Sequence, residues 1–171
     1  MKNSRPASGD YAAFYEPYVS KITSNDIVST LEQSLPLNLG FLKSIPREKW
    51  DYKYAEDKWN IKEILIHIID GERIFSNRAL RIARHDRTPL PGFDQNAYAP
   101  YMNAADRTIE SIIEEYEAVR RSTICLFRNF SEKMWLRHGL ASGTSVTSLA
   151  MAYIIAGHEI HHFKIINERY L

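Results

Sequence analysis

The chain has 171 residues, 44% of them hydrophobic and 25% charged, which suits one globular domain spanning residues 1–171. A formal net charge of +1, with no long basic tract, gives no reason to expect nucleic acid or an anionic membrane surface as a partner. No stretch resembles a signal peptide or a membrane span, so we expect no membrane partner and a cytoplasmic location. A single cysteine, Cys125, excludes an intramolecular disulfide, and we interpret it as a small apolar core residue on a helix.

The first segment, residues 1–24, is rich in Tyr, Ser and Pro and has no helical or strand period. We interpret it as an N-terminal arm that packs four aromatic side chains on the rest of the protein: Tyr11, Phe14, Tyr15 and Tyr18. A first helix is predicted to start near Asp26, a suitable N-cap. Pro36 falls inside its apolar pattern and is expected to kink or break it.

The second helix has the clearest pattern. Asn60 and Glu63 form a predicted capping box, and an apolar stripe that includes His67 then continues to about Arg84. Residues 85–98 follow, with two prolines and a glycine that exclude regular structure. This loop is long for a bundle connection, which is typical of a functional loop or of a packed crossover.

A third helix is predicted to begin after Asp106. Its solvent face is expected to carry five charged residues: Glu110, Glu114, Glu117, Arg120 and Arg121. Residues 131–143 are expected to be a second irregular connection, and a fourth helix should cover about 144–169. No useful β-alternation is found, so we predict an all-α fold, an antiparallel-type four-helix bundle with long crossover connections.

Three of the six histidines lie close together in the last helix. At about 100° per residue, His158 and His162 point into the core one turn apart, while His161 lies on the flank. A single inward histidine is usually a hydrogen-bonded core residue. Two such imidazoles each need a polar partner, and a shared metal ion would satisfy both.

His67 is the candidate for a third ligand because it lies on the apolar stripe at a matching height if the second and fourth helices are antiparallel. Three imidazoles leave an open coordination position, which is typical of a catalytic site. The cofactor predicted is a divalent transition metal such as zinc, nickel or iron, and imidazole alone does not choose among them.

Residues 158–162 of the same helix also match the H-E-x-x-H pattern of zinc peptidases, in which Glu159 would be the general base. This is the weaker interpretation, because no further ligand follows in the chain and because Glu159 is expected to point away from the core. Asp70 and His161 flank the site and are candidates to orient the ligand imidazoles, although an exposed carboxylate is as plausible for Asp70. Arg78, on the inward stripe, is expected either to meet an anionic substrate or to be paired within the bundle.

Four stretches of the sequence resemble the DinB/YfiT-like superfamily of metal-dependent enzymes, which is distinct from the DNA polymerase of similar name. They are residues 58–73, 78–84, 86–94 and 156–162. The resemblance implies an up-down-down-up four-helix bundle that commonly forms a homodimer, and a three-histidine metal site. The family's ligands fall on His67, His158 and His162; Pro36 and Asn60 are small departures that do not touch the site.

The resemblance implies a metal-dependent enzyme acting on a small molecule, either a hydrolase or a thiol-S-transferase that uses a low-molecular-weight thiol. The alternatives are a non-catalytic bundle that binds metal or a small ligand, and a purely structural domain. In an up-down-down-up bundle the second and third helices are parallel. The connection between them must therefore return along the bundle, and we expect Phe93 and Tyr98 to help wall the pocket rather than serve only as packing anchors.

Overall fold

Most of the protein is helical in the computed structural model, which describes residues 5–171. Residues 1–4, the beginning of the predicted arm, lie outside the described residues. The helices in chain order are α1 (Glu16–Val19), α2 (Ile27–Ser44), α3 (Ile61–Ala83), α4 (Gln95–Tyr98), α5 (Ile109–Arg128), α6 (Glu132–Trp135) and α7 (Ser148–Arg169). Two short strands, β1 (His138–Ala141) and β2 (Thr144–Thr147), pair antiparallel.

The predicted caps begin the first two long helices. The Asp26 side chain accepts a hydrogen bond from the Ser29 backbone N–H at 3.0 Å, and Asn60 and Glu63 form the expected capping box at the start of α3. Helix α2 continues through Pro36, so the expected break is wrong. Pro36 lies on the exposed face of α2, where water can solvate the carbonyl group that lacks an N–H partner.

Helix α5 begins after its Thr108 cap, two residues later than Asp106. Arg120 was expected on the solvent face, but its side chain is fully buried. Cys125, expected in the core, is exposed. Both predictions are wrong because α5 packs against both α2 and α3, which turns Arg120 inward and leaves Cys125 on the solvent side.

The connection after α5 is more regular than the sequence predicts. Helix α6 and the β1–β2 hairpin replace the expected irregular segment, and α7 starts at Ser148 rather than near residue 144. Ser142 and Gly143 both have positive φ, at 51° and 76°, as a two-residue hairpin turn with this twist requires. Strands of four residues are too short to show a clear alternation in the sequence.

The hairpin holds the proline-rich loop that follows α3. The Leu90 backbone N–H donates to the Leu140 carbonyl at 2.9 Å, and the Ser142 N–H donates to the Leu90 carbonyl at 3.0 Å. Buried Arg78 donates to the Pro91 carbonyl at 2.6 Å and to Ser142 Oγ at 3.2 Å, so it is paired within the protein. These bonds direct the residues after Gly92 back along the bundle.

The four long helices pack side by side, α3 against α7 and α5, and α2 against α5 and α7. The start of α7 lies beside the end of α3, where Ser148 Oγ donates to the Ala79 carbonyl at 3.3 Å. Every residue of α7 from 148 to 159 is buried, because the N-terminal arm covers the side of this helix that the other helices leave open. Among residues 5–171, no helix is long and apolar enough to cross a membrane.

Candidate metal centre

The structure brings His67 of α3 together with His158 and His162 of α7. The Nε2 atom of His158 lies 2.9 Å from Nε2 of His67 and 3.1 Å from Nε2 of His162. One ligand atom from each of the three side chains lies within 4.8 Å of the others. His67 and His158 are buried and His162 is partly buried. The three rings therefore point their nitrogens at one small volume between the two helices.

Aromatic side chains and a glycine fix the positions of these rings. The Trp59 ring lies 5.0 Å from His67, and the Tyr18 ring meets His158 edge-on at 5.4 Å between ring centroids. A Cβ atom added at Gly71 would lie 3.2 Å from Cε1 of His158, closer than ordinary contact. The absent side chain at Gly71 thus lets the His158 imidazole lie directly against the backbone of α3.

Burial keeps the three imidazoles in the neutral form. It lowers the pKa of His67 to about 4 and that of His162 to about 3, the latter helped by the neighbouring His67 and His161. The pKa of His158 is held well below its usual range, again by burial first and then by the other histidines. Neutral imidazole is the form that ligates metal ions, so the site needs no proton release from these side chains near neutral pH.

The chemistry of this donor set fits a divalent transition metal. Zinc–nitrogen bonds of about 2.0–2.1 Å in tetrahedral geometry separate two nitrogens by roughly 3.3 Å, close to the distances found here. Hydrogen bonding alone leaves the cluster incomplete, because Nε2 of His158 has either one proton or one lone pair and faces two partners. A shared ion would give each of the three nitrogens a partner.

Asp70 and His161 are the residues predicted to orient the ligand imidazoles. Within residues 5–171, no hydrogen bond joins Asp70 to an imidazole; its carboxylate lies 4.0 Å from the Arg73 guanidinium, and burial raises its pKa. The ring of His161 is partly exposed and lies 5.0 Å from that of His162.

A cavity of about 320 Å³ opens beside His67 and His158. Phe93 lines it, together with Asp94, Gln95 and Asn96, so the proline-rich connection does return to the histidines. Tyr98 lines neither this cavity nor the next; it is partly exposed and packs behind Phe93 at 5.8 Å between ring centroids. A pocket-wall role for Tyr98 is therefore indirect.

A second cavity of about 240 Å³ opens beside His162, bordered by Lys58 and Trp59. Gln95 and Asn96 border both cavities and were missed from the sequence, where they are two polar residues in a long loop without a motif. A third cavity of about 340 Å³, between the end of α2 and the start of α5, includes no histidine and lies away from the cluster.

Glu159 belongs to a buried ionic network rather than to the solvent face, so the expected orientation of this residue is wrong. Arg120 donates from Nη1 to one Glu159 oxygen at 3.1 Å, and its Nη2 lies 2.8 Å from the other. The Tyr116 hydroxyl also donates to Glu159, and burial raises the pKa of Tyr116 well above its usual range. The carboxylate is thus held by two partners on α5, away from the open cavities, and is not free to act as a general base.

Glu72 completes this network from α3. Nε and Nη2 of Arg120 donate to its two oxygens at 2.9 and 2.7 Å. Glu72 was not predicted to be buried, because a single acidic residue beside an apolar stripe is usually exposed. No pattern in the sequence distinguishes Glu72 from an exposed acidic residue.

Comparison with known proteins establishes the family. Residues 30–166 match the sequence profile of the DinB superfamily, and the chain belongs to this superfamily. A relative from Oceanobacillus iheyensis, named "Putative metal-dependent hydrolase", is 28% identical over 149 residues, which are 83% of this chain and 84% of the relative. The resemblance noted in the sequence is confirmed.

Two solved structures share the fold. YfiT from Bacillus subtilis, described as "a probable metal-dependent hydrolase with an unusual four-helix bundle topology", has a TM-score of 0.72 at 14% identity, covering 97% of this chain and 91% of YfiT. A mycothiol-dependent maleylpyruvate isomerase has a TM-score of 0.67 at 12% identity, covering 85% of this chain and 61% of the isomerase. At these identities the likeness establishes a shared fold and nothing about the reaction.

Proposed function

We propose that the protein is a metal-dependent enzyme, with a hydrolase as the leading assignment, and that His67, His158 and His162 hold its divalent transition metal. The observation that carries the proposal is the convergence of three neutral Nε2 atoms, 2.9 and 3.1 Å apart, at the junction of two open cavities. The name of the relative from Oceanobacillus iheyensis supports the same class.

Each part of the site has a role in this proposal. The three imidazoles occupy one side of the ion and leave the cavity side for substrate; when bound, the metal supplies Lewis acidity and the activation of water or of a thiol near neutral pH. The rings of Trp59 and Tyr18 limit the access of bulk water to the imidazoles. Gln95 and Asn96, which border both cavities, offer uncharged hydrogen-bonding groups to a bound small molecule.

Thiol transfer with a low-molecular-weight thiol is the second candidate within the same site. It is supported by the shared fold with an isomerase described as mycothiol-dependent. Nothing on the cavity walls is specific to a thiol, so hydrolysis comes first. The alternative is a helical bundle that binds a metal ion but catalyses no reaction.

An up-down-down-up order of the long helices is part of the proposal. Three contacts support it. Ser148 beside Ala79 is the contact expected of antiparallel α3 and α7. Glu32 paired with Arg128 fits antiparallel α2 and α5, and Tyr153 bonded to Ser24 fits parallel α2 and α7.

Elemental analysis of the purified protein tests the metal site. We expect near-stoichiometric divalent metal in the wild type and its loss in the His67→Ala/His158→Ala/His162→Ala variant. His85→Ala removes an exposed imidazole of the loop after α3 and should leave the metal content unchanged. Circular dichroism must show that all variants remain helical.

Unchanged metal content in the triple variant would refute the ligand assignment. If metal is bound, the loaded protein is then assayed with ester and amide substrates and, separately, for conjugation of a low-molecular-weight thiol to an electrophile. Hydrolysis that the triple variant lacks supports the leading assignment. Conjugation alone would replace it with thiol transfer, and inactivity in both assays would favour the non-catalytic alternative.

A further inference from the structure

The cavity beside His67 and His158 has an aromatic wall that the N-terminal arm supplies. Phe14, Tyr15 and Tyr18 line it from the arm, and Phe75 and Phe93 line it from α3 and the following loop. These rings contact one another edge-on or tilted; Tyr15 lies 6.0 Å from Phe75, and Phe75 lies 6.1 Å from Phe93. The arm precedes residues 30–166, the part of the chain that matches the superfamily.

The arm is a fixed part of this wall. Val19 and Ile22 are buried in the core, and the Thr147 backbone N–H donates to the Asp10 carbonyl at 3.0 Å. A Cβ atom added at Gly157 would lie 2.0 Å from the Tyr18 carbonyl oxygen, so the arm lies directly on the backbone of α7 one residue before His158. The aromatic rings of the arm are therefore fixed in position relative to the histidine cluster.

The charges around the cavity restrict what it can bind. Of the residues that line it in the described part of the chain, Asp94 is the one with a charged side chain, since the imidazoles are neutral. Arg78 lies behind the wall with its guanidinium 5.8 Å from the Phe75 and Phe93 rings, and its hydrogen bonds go to Pro91 and Ser142. Away from the divalent ion of the proposed site, an anionic group would thus find no cationic side chain on the cavity wall. A cationic group would face that ion.

An uncharged apolar or aromatic group fits both the charge and the size of the cavity. Its volume of about 320 Å³ is at the small end of ligand pockets. Phe14 is 73% exposed at this cavity, and its ring meets that of Tyr15 edge-on at 5.2 Å between ring centroids. A ligand that enters the cavity would cover this ring.

We propose that the arm rings Phe14, Tyr15 and Tyr18, with Phe75 and Phe93, form a subsite that binds an uncharged aromatic or branched apolar group of the substrate and so determines specificity. The inference rests on the proposed function in one respect: the reacting group of the substrate would lie at the metal ion held by the histidines, next to this subsite. Phe14 then contributes to ligand affinity and little to folding, because it lies outside the core.

Two hydroxamates that share a metal-binding group test the subsite in the zinc-loaded protein. Benzohydroxamate carries a phenyl ring and acetohydroxamate a methyl group, so we expect benzohydroxamate to bind at least about tenfold more tightly by calorimetry. Phe14→Ala should reduce this ratio at least threefold without changing zinc content. Leu37→Ala, which removes a 72% exposed leucine on α2, should leave the ratio unchanged.

Equal affinities for the two hydroxamates in the wild type, or a ratio that Phe14→Ala does not alter, would overturn the proposal even if the metal site is correct. A second measurement does not depend on metal. Saturation-transfer NMR with benzyl alcohol on the chelator-treated protein should show binding that Phe14→Ala weakens and Leu37→Ala does not. If the protein binds no zinc, the proposed function fails while benzyl alcohol still decides whether the subsite exists.

Discussion

The guanidinium of Arg120 lies between the carboxylates of Glu72 and Glu159, and all three side chains are buried. Replacing Arg120 by leucine would leave two buried carboxylates without their cation. We expect Arg120→Leu to lower the free energy of unfolding by about 3–5 kcal/mol, the usual cost of removing one partner from a buried pair. Urea unfolding followed by circular dichroism measures this loss.

The next residue supplies the control. Arg121 pairs with Glu117 one turn away on the exposed face of α5, and Arg121→Leu should cost less than about 1 kcal/mol. Arg120→Lys keeps the charge but loses the forked geometry, so its stability should fall between the two leucine variants. Similar losses for Arg120→Leu and Arg121→Leu would contradict the network's role.

The histidine cluster makes the stability of the metal-free protein depend on pH. In the unfolded chain a histidine has a pKa of about 6.5. Burial lowers the pKa of folded His67 to about 4 and of His162 to about 3. Below pH 6.5 these histidines bind protons in the unfolded state but stay neutral in the folded state. The free energy of unfolding is therefore highest above this pH and decreases as the pH falls towards 4.

We therefore expect the chelator-treated protein to lose up to about 1.4 kcal/mol per pH unit for each of these imidazoles between pH 6.5 and pH 5. Urea unfolding at pH 7.5, 6.0 and 5.0 measures the change. The His67→Ala/His162→Ala variant should lose less over the same range. An equal pH slope in this variant would assign the effect to other groups.

At the scale of elements, the contact between α1 and α7 depends on Gly157. Alanine favours a helix over glycine by about 1 kcal/mol, but its Cβ atom would overlap the Tyr18 carbonyl. We expect Gly157→Ala to destabilise the protein by about 1–3 kcal/mol, as overpacking does, and to release the arm from α7. Urea unfolding and limited proteolysis within residues 5–24 report the two effects.

Gly40 is the matched control because it lies in α2 with no atom within 4 Å of an added Cβ. Gly40→Ala should stabilise the protein by about 0.5–1 kcal/mol and leave the arm resistant to protease. If Gly157→Ala is as stable and as resistant as Gly40→Ala, the close approach of the arm is not a constraint on this position.

The connections between the long helices were the least predictable elements. The capping box of Asn60 and Glu63 and the apolar stripe after it are local signals, so the start of α3 at Ile61 and its end at Ala83 follow from the sequence. Leu90 pairs instead with a hairpin fifty residues later, and a contact of that kind has no local signature. The return of the loop could be expected from the implied bundle order, but the contribution of Gln95 and Asn96 to the cavities could not.

At the scale of the whole molecule, we expect a homodimer. The resemblance to the DinB/YfiT-like superfamily implies it, and helical bundles pair readily through self-complementary helix faces. Multi-angle light scattering at micromolar concentration should give twice the 19.8 kDa of one chain. A single species at 19.8 kDa across this range would refute the expectation.

Helical periodicity by itself determined the long helices, and the spacing of His158 and His162 determined that two imidazoles share one face of α7. These properties are local, because one turn of helix relates residues three or four apart. The prediction that His67 lies beside these two imidazoles needed one further assumption, that α3 and α7 are antiparallel.

The tertiary structure alone decided which charged residues are buried. The helical angle assigned Arg120 and Glu159 to solvent, yet α7 is covered on every side from residue 148 to 159 and α5 packs against two helices. Burial is set by what surrounds a helix, and a charge can enter the core only where partners from other elements meet it, as Glu72 and Glu159 meet Arg120. The aromatic wall arose in the same way, because the arm and the loop after α3 are distant in the chain and meet only when the bundle has formed.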